Sequence, residues 1–318
     1  MRAREPATKD PPRAPDFRAL DFGQLWSGRA RVTAVESAVL REALQTVRPT
    51  RVLEIGAGVG RLSHVMQEGA LQYAAVDITP EFLREVPVRS DLDALRICAD
   101  VYHLPFVDAA FPAATLVRVL GFLQDPRAAL EEIGRVLSPG GTLVLSYNPH
   151  PSVESLVADV KAALRRRPGD SFESMTFSRR ATVPVQPSAF PAWSLTRGRF
   201  RELILDSGFE PIREWPTGFE DYGGLRRLPT SVFVGASRAF GAIGGFPIRL
   251  ALTRRSGRSR GSMVDWAEVL ACPRCRGPMP TAGVGRSASA CPRCRQRWPV
   301  EEGVLDLRWD EPSDALKE

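Results

Sequence analysis

Short apolar runs recur along the first half of the chain, and most are followed by a segment whose apolar residues lie three or four positions apart. The runs lie at 52–55, 73–78, 95–100, 114–120 and 142–147, and helical spacing is clear at 32–47, 126–137 and 196–207. Strands that alternate with helices in this way are typical of a parallel sheet covered on both faces. The pattern therefore predicts an α/β fold whose ligands gather at the carboxyl ends of the strands.

Small residues and one carboxylate follow the first two predicted strands. The first strand ends in Gly56, Gly58 and Gly60, and the second ends in Asp77. Glycines allow backbone conformations closed to other residues, and the helix that follows them offers free N–H groups to a ligand. An acid at the tip of the second strand suits a ribose diol. Nicotinamide and flavin enzymes use a similar turn, so a dinucleotide site is one interpretation.

Four motifs in a fixed order make the prediction more specific. They are EIGAGVG at 54–60, VDI at 76–78, ADVYHLPF at 99–106 and RVLSPGGTLVLS at 135–146. Through them the chain resembles the class I S-adenosylmethionine-dependent methyltransferases of the type 11 kind. The resemblance implies a Rossmann-like, mostly parallel seven-stranded sheet with an antiparallel last strand, and S-adenosyl-L-methionine as cofactor. It also implies that 209–214 and 231–237 complete the sheet as an antiparallel hairpin.

The resemblance implies a cofactor site at the ends of the first four strands. Its residues are Glu54, Gly56, Ala57, Gly58, Gly60, Asp77, Ile78, Asp100, Val101 and Arg118. Ile78 would lie against one face of the adenine, Asp100 would reach its exocyclic amino group, and the Val101 amide would lie near the ring. Glu54 would order the glycine turn or contact the amino acid part of the cofactor. Arg29 or Arg31 offers paired donors for the methionyl carboxylate, although solvated arginines are the alternative.

Candidate acceptor-side residues follow the fourth and fifth strands. Methyltransferases that act on planar amines often have an Asn-Pro-Pro-aromatic motif after the fourth strand, and VLGF stands there in this chain. We therefore do not expect methylation of that type. A base is needed only when the acceptor must lose a proton. The candidates are His150 and Tyr147, with His103 behind them, and a structural role is the alternative for each.

The charge balance leaves several partners open. The formal net charge is +6 and the pI about 9.4, but nearly all the basic residues are arginines, a bias that genome composition can produce. Eight arginines and no acid lie between 222 and 264, beside an apolar stretch at 240–252. Such a segment fits a connector, a membrane surface or an RNA backbone. No apolar run approaches the length of a membrane span and no export segment is evident, so we expect a cytoplasmic protein with reduced thiols.

Two CPRC motifs separated by 15 residues occupy the last part of the chain, at Cys272, Cys275, Cys291 and Cys294. Paired cysteine knuckles at this spacing predict a tetrahedral zinc site. The surrounding residues 269–307 resemble a small zinc-ribbon family that includes the activator subunit of tRNA and protein methyltransferases. Four thiolates leave no open position for water, so the zinc should be structural. The fifth thiol, Cys98, is expected to be a buried apolar filler.

These observations predict the following organisation: a disordered tail at 1–16, a methyltransferase domain at 17–240 with a substrate-cap insertion at 151–195, a linker at 241–264, a zinc ribbon at 265–310 and a tail at 311–318. The leading hypothesis is an enzyme that methylates a small, hydrophobic or biosynthetic molecule. An RNA methyltransferase is the second hypothesis, and a non-catalytic S-adenosylmethionine-binding scaffold that docks a partner protein is the third.

Overall fold

The computed structural model describes residues 26, 28–150, 178–185, 188–218, 227–239, 248–257, 264–281 and 288–308. The predicted tails and most of the predicted insertion lie outside these residues. The helices are α1 Ala30–Gln45, α2 Ser63–Gln67, α3 Pro80–Glu85, α4 Pro126–Val136, α5 Arg197–Asp206 and α6 Thr230–Ala239. The strands are β1 Arg51–Ile55, β2 Gln72–Asp77, β3 Asp93–Cys98, β4 Phe111–Leu116, β5 Leu137–Pro149, β6 Ser178–Val185, β7 Ser188–Leu195, β8 Phe209–Thr217, β9 Ile248–Arg255, β10 Leu270–Ala271, β11 Pro278–Met279, β12 Ala288–Ala290, β13 Arg297–Glu301 and β14 Val304–Asp306.

A seven-stranded sheet in the order β3-β2-β1-β4-β5-β9-β8 forms the centre of the described structure. The pairs from β3 to β5 are parallel, whereas β9 runs antiparallel to both β5 and β8. The prediction of a mostly parallel sheet with an antiparallel last strand is confirmed. None of the described helices has the length and apolar character that crossing a bilayer requires.

Side chains alternate between the two faces of this sheet, as the strand repeat requires. In β5, Leu143 and Leu145 pack on one face and Val144 on the other. The first face is covered by α4 and α5, which contribute residues such as Ile133 and Phe200. The opposite face is covered by α1, α2 and α6. Both faces of the parallel strands are thus buried, which explains their continuous apolar sequences.

The predicted strand at 231–237 is wrong, because this segment lies in helix α6. Its sequence SVFVGAS is rich in β-branched residues, yet Phe233 and Ser237 are the residues buried, which is the i, i+4 spacing of a helix. The partner of β8 is instead β9, which lies within the predicted linker 241–264. All residues of β9 from Ile248 to Thr253 are buried, so this apolar segment is a central strand.

A hairpin of β6 and β7 stands beside the end of β5. The two strands pair antiparallel, and β7 pairs in parallel with Asn148 and Pro149 of β5. The hairpin lies within the predicted 151–195 insertion. Its position after the carboxyl end of β5 puts it next to the edge of the sheet where ligands are expected.

The cysteine-containing segment, residues 264–308, extends the same sheet. Strand β14 pairs in parallel with β3, β13 pairs with β14, and β12 pairs with β13. Side chains of this segment share a core with the methyltransferase-like half of the sheet; they include Trp266, Leu270, Trp298, Leu305 and Leu307. We call residues 264–308 the ribbon from here on. Its folding is therefore tied to that of β3 through both hydrogen bonds and apolar packing.

Candidate functional site

The turn after β1 has a backbone that requires glycine. Gly56, Gly58 and Gly60 all have positive φ angles, at 69°, 54° and 78°. A Cβ atom added at Gly56 would lie 2.2 Å from a methyl carbon of Val119, so the turn also packs too closely for a side chain there. The turn is fixed by hydrogen bonds from the amides of Gly56 and Ala57 to the carbonyl of Val76, at 2.8 and 3.0 Å. This arrangement fits a site where a ligand approaches the backbone.

Asp77 at the end of β2 holds this turn. One oxygen of its carboxylate accepts the amide of Gly58 at 2.9 Å, and the other accepts the amide of Thr79 at 2.9 Å. Burial raises the pKa of Asp77 above its ordinary value, although these backbone donors act in the opposite direction. Each oxygen of a carboxylate can accept more than one hydrogen bond. The carboxylate can therefore hold the turn and still accept ribose hydroxyls.

Asp100 follows β3, which is the next strand in the sheet. Its carboxylate accepts the amide of Tyr102 at 3.1 Å, and its carbonyl accepts the amide of His103 at 3.0 Å. The amide of Ala99 donates to the carbonyl of Asp77 at 3.0 Å, which connects the two aspartate-bearing segments. Because β1 to β4 are parallel neighbours, the fold brings the predicted cofactor residues to one edge of the sheet: the glycine turn, Asp77, Ile78, Asp100, Val101 and Arg118.

Glu54 belongs to β1, and its side chain lies in the interior. The same carboxylate oxygen accepts the hydroxyls of Ser63, at 2.7 Å, and Tyr73. Burial raises the pKa of Glu54 from 4.5 to about 7, and the two hydroxyl donors only partly offset this. The structure thus connects Glu54 to the start of α2, which follows the glycine turn.

The raised pKa of Glu54 predicts a stability that depends on pH. The folded protein binds a proton that the unfolded chain loses above pH 4.5, so burial of Glu54 costs stability as pH rises from about 4.5 to 7. Glu54→Gln keeps a carbonyl oxygen for both hydroxyls and cannot ionise. We expect the variant to be about 3 kcal/mol more stable than the wild type at pH 8 and equal to it at pH 4.5. Urea unfolding at both pH values measures the difference, and a constant difference would contradict the assignment.

A buried ion cluster lies next to the glycine turn, and the sequence motifs described above do not predict it. Glu36 of α1 is fully buried and accepts hydrogen bonds from Arg61 at 2.7 Å and from Arg118 at 2.6 and 2.8 Å. Burial alone would raise the pKa of Glu36, but the charges of Arg118 and Arg61 lower it below its ordinary value. The ring of Trp26 lies 3.8 Å from the Arg61 guanidinium carbon. The cluster therefore joins α1 to the turn and to the end of β4.

The two arginines proposed for the cofactor carboxylate lie at the start of α1. Arg29 lies 5.8 Å from the centre of the Trp26 ring, and Arg31 donates to the carbonyl of Leu228 at 3.2 Å. Arg118 has a positive φ of 64°, which is uncommon outside glycine, and its amide donates to the Ser146 hydroxyl at 2.6 Å. Arg118 is thus held by Glu36 through its side chain and by Ser146 through its backbone amide.

Glu36→Gln should destabilise the fold. The amide cannot compensate the charges of two arginines, and breaking a buried ion cluster leaves its partners incompletely paired. Because both arginines retain some contact with solvent, we expect a loss of about 2 kcal/mol. Since the pKa of Glu36 is lowered, its stabilising effect is present at neutral pH and is lost in acid. Urea unfolding at pH 7 measures it, with the exposed Glu68→Gln as control; equal losses would contradict a special role for Glu36.

The acceptor-side candidates differ in their surroundings. Tyr147 is buried, stacks on Phe200 at 3.8 Å between ring centres, and donates to Glu214 at 3.1 Å. Burial raises the pKa of Tyr147 well above its usual range, and the charge of Glu214 adds to this. His150 is half-buried, and its Nδ1 atom makes no hydrogen bond to any described residue. His103 is exposed. The structure therefore does not bring these three side chains into one hydrogen-bonded group.

The four knuckle cysteines converge on one point. Their Sγ atoms all lie within 4.8 Å of one another, with Cys272 to Cys294 at 3.7 Å and Cys275 to Cys291 at 3.5 Å. Zinc at about 2.3 Å from four tetrahedral sulfurs would set neighbouring sulfurs about 3.8 Å apart. The thiols present thus fit a four-coordinate metal ion. Cys98 is buried and lies in β3 rather than in this group, as predicted.

A comparison with protein families finds a match for the parallel strands β1 to β5. Residues 53–145, which run from β1 through β5, match the family model described as a methyltransferase domain, Methyltransf_11. This part of the chain is therefore similar to a methyltransferase domain, and we refer to residues 53–145 as the methyltransferase domain from here on. This domain carries the glycine turn, both aspartates and Arg118.

Curated relatives of the methyltransferase domain include enzymes of quinone biosynthesis. A demethylmenaquinone methyltransferase of Corynebacterium urealyticum is 33% identical over 149 residues, which is 46% of this chain and 59% of that protein. A ubiquinone biosynthesis O-methyltransferase of Xanthomonas campestris is 29% identical over 169 residues, or 51% of this chain and 68% of that protein. The chain spans about half of the length of the first relatives it matches.

Solved structures show a wider likeness. One is a chain from the complex between the Haloferax volcanii Trm112 methyltransferase activator and a methyltransferase, with 19% identity and a TM-score of 0.48. The match covers 74% of this chain and 99% of that chain.

Proposed function

We propose that this protein transfers the methyl group of S-adenosylmethionine to a small-molecule acceptor. The observation that carries the proposal is Asp77, whose carboxylate holds the glycine turn at the edge of the sheet within a methyltransferase domain. Asp77 would bind the ribose hydroxyls and Asp100 the adenine amino group, with Ile78 and Val101 beside the ring. The glycine turn would lie against the amino acid part of the cofactor.

The acceptor we propose is a hydrophobic biosynthetic metabolite. The support is the naming of the relatives, which are demethylmenaquinone and ubiquinone biosynthesis methyltransferases. The β6–β7 hairpin follows the carboxyl end of β5, where it can border an acceptor. Loops and insertions at this edge of an α/β sheet commonly set acceptor choice.

Methyl transfer from a sulfonium is an in-line displacement, so the protein mainly aligns the acceptor and excludes water. If the acceptor is a hydroxyl group, a base must take its proton. We propose His150 for this task, because its Nδ1 is uncommitted among the described residues. Tyr147 supports the site instead, because its hydroxyl donates to Glu214 and burial raises its pKa.

The ribbon would hold one structural zinc ion through Cys272, Cys275, Cys291 and Cys294. Four sulfur ligands satisfy a tetrahedral zinc ion, so it would supply no open position for a substrate. The support is the convergence of the four sulfurs described above.

An RNA acceptor has less support. Several arginines of the 222–264 segment have internal partners: Arg249 is buried and donates to Glu214, and Arg238 donates to Glu42. Residues 248–252 of the apolar stretch are buried in strand β9, so this described part of it is not available to a membrane surface. Arg226, Arg258 and Arg260 lie outside the described residues.

Incubation with cofactor labelled on the methyl group tests the proposal. Zinc-loaded protein would be supplied with an organic extract, water-soluble metabolites and total RNA in separate reactions. We expect label in the organic extract, and none with Asp77→Ala. Label in RNA would favour the RNA methyltransferase hypothesis. No label in any fraction, with binding of S-adenosylhomocysteine intact, would favour the scaffold hypothesis.

A further inference from the structure

The loop after β3, residues 99–106, is attached to the ribbon at both of its ends. We call this segment the Asp100 loop. At its start, the amide of Leu307 donates to the carbonyl of Cys98 at 2.8 Å, just beyond the parallel pairing of β14 with β3. At its end, the amide of Ala271 donates to the carbonyl of Pro105 at 3.0 Å. The residue after Ala271 is Cys272, one of the four knuckle cysteines.

At the second attachment, the hydrogen bonds resemble those of a short antiparallel strand pair. The amide of Val107 donates to the carbonyl of Val269 at 3.0 Å, and Phe106 and Leu270 form an antiparallel bridge. Phe106 and Leu270 are fully buried in the shared core. Ordered ribbon backbone is therefore needed on both sides of the loop.

The first attachment also reaches the other aspartate. The peptide between Cys98 and Ala99 donates to the carbonyl of Asp77 on one side and accepts from Leu307 on the other through the Cys98 carbonyl. The Cys98 thiol lies 3.3 Å from the carbonyl of Ile78. If the ribbon moved, the segment that carries Asp77 and the loop that carries Asp100 would therefore both be disturbed.

One restraint on the Asp100 loop comes from helix α4, although the ribbon also touches it through an ion pair of 3.9 Å between Arg276 and Glu132. In α4, Glu132 accepts the amide of Leu104 at 2.8 Å, and Arg135 donates to the carbonyls of Leu104 and Phe106. The loop therefore keeps part of its shape when the ribbon opens. We therefore expect opening of the ribbon to weaken the binding of the cofactor without abolishing it.

We propose that the zinc-bound ribbon positions Asp100 for the adenosyl group, so that zinc and the adenosyl part of the cofactor each strengthen the binding of the other. The proposal rests on the function proposed above. Coupling between two sites is reciprocal, so the factor by which zinc tightens adenosyl binding equals the factor by which the ligand tightens zinc. Leu307 and Ala271 are positioning residues that act through backbone hydrogen bonds.

The first experiment measures both directions of this coupling on the full chain. Calorimetry gives the affinity for S-adenosylhomocysteine before and after zinc removal, and chelator competition gives the affinity for zinc with and without that ligand. We expect changes of roughly tenfold in both, which is within the usual range for coupled sites. Adenosine should reproduce the effect and homocysteine should not. Equal affinities with and without zinc would overturn the proposal.

Hydrogen exchange separates positioning from general stability. After zinc removal, peptides that cover 99–107 should lose most of their protection, whereas peptides that cover 51–55 in β1 should lose only as much as the fall in global stability requires. Equal loss in both would overturn the proposal, because zinc would then hold the whole fold. Zinc-loaded protein that binds no S-adenosylhomocysteine would refute the proposed function, while the exchange pattern would still report on the loop.

A variant tests the same idea without touching a metal ligand. Leu307→Pro removes the N–H that reaches Cys98, together with a buried leucine side chain. Arg308→Pro removes an N–H bond and a side-chain ion pair that both go to the neighbouring Asp306, and it leaves the bond to Cys98 in place. Leu307→Pro should keep one zinc per chain and bind S-adenosylhomocysteine about tenfold more weakly, and Arg308→Pro should bind it normally. Normal binding by a folded Leu307→Pro would contradict the proposal. If that variant does not fold, the two-way coupling measured on the wild type decides.

Discussion

Cys291→Ser should release the metal and lower the melting temperature of the whole protein by roughly 10 °C. The zinc ion is expected to hold the ribbon, whose Trp298, Leu305 and Leu307 share a core with the methyltransferase domain. When these side chains lose their fixed positions, about 3 kcal/mol of packing is lost, and each kcal/mol lowers the melting temperature by a few degrees in a chain of this size. Calorimetry and elemental analysis measure the two effects.

Cys98→Ala is the matched control for this substitution. Cys98 is also buried, but it lies in β3 and its thiol is not part of the four-sulfur group. We expect the control to keep about one zinc per chain, with a much smaller change in melting temperature. A Cys291→Ser protein that melts at the wild-type temperature would show that the ribbon and the sheet are energetically independent.

Asp77→Ala should weaken the binding of S-adenosylhomocysteine by one to two orders of magnitude. Two effects combine, because the carboxylate would bind the ribose hydroxyls and also holds the amide of Gly58. Asp77→Asn retains one acceptor oxygen, so its affinity should lie between those of the wild type and the alanine variant. Isothermal calorimetry at pH 7.5 measures the series.

Asp93→Ala controls for the loss of a carboxylate near the sheet. Asp93 is the first residue of β3, whereas Asp100 follows the carboxyl end of that strand. The two carboxylates therefore lie at opposite ends of β3, and Asp93 is exposed. We expect it to bind S-adenosylhomocysteine as the wild type does. If Asp77→Ala binds within twofold of this control, Asp77 is not a ribose ligand and the proposed cofactor site is misplaced.

The parallel half of the fold follows from sequence alone because its signals are local. Strands β1 to β4 are short and largely apolar, and a glycine or an aspartate stands at or just after the ends of β1, β2 and β3. Helix α5 is similarly clear, with Thr196 accepting the amide of Arg199 at its start and Gly208 with positive φ just past its end. The order of these elements is predicted from the intervals between apolar positions, and the metal ligands from the intervals between cysteines. Both kinds of interval can be read from the sequence.

The remainder depends on contacts between distant segments. The segments 231–237 and 248–255 are both apolar, and only their pairing partners decide which is the strand. The pairing of β14 with β3 has no local signature either. Glu36 offered a usable signal, because it lies among the regularly spaced apolar positions of α1, where a carboxylate requires a buried partner.

The pairing of β14 with β3 also bears on how the chain leaves the ribosome. Until the ribbon has been made, β3 is a free edge strand of the growing sheet, with unpaired backbone groups beside the apolar surface that the ribbon later covers. Exposed edges of this kind join to other chains and promote aggregation. A nascent chain released before β14 should therefore be retained by chaperones or precipitate, even though its cofactor residues have all been synthesised.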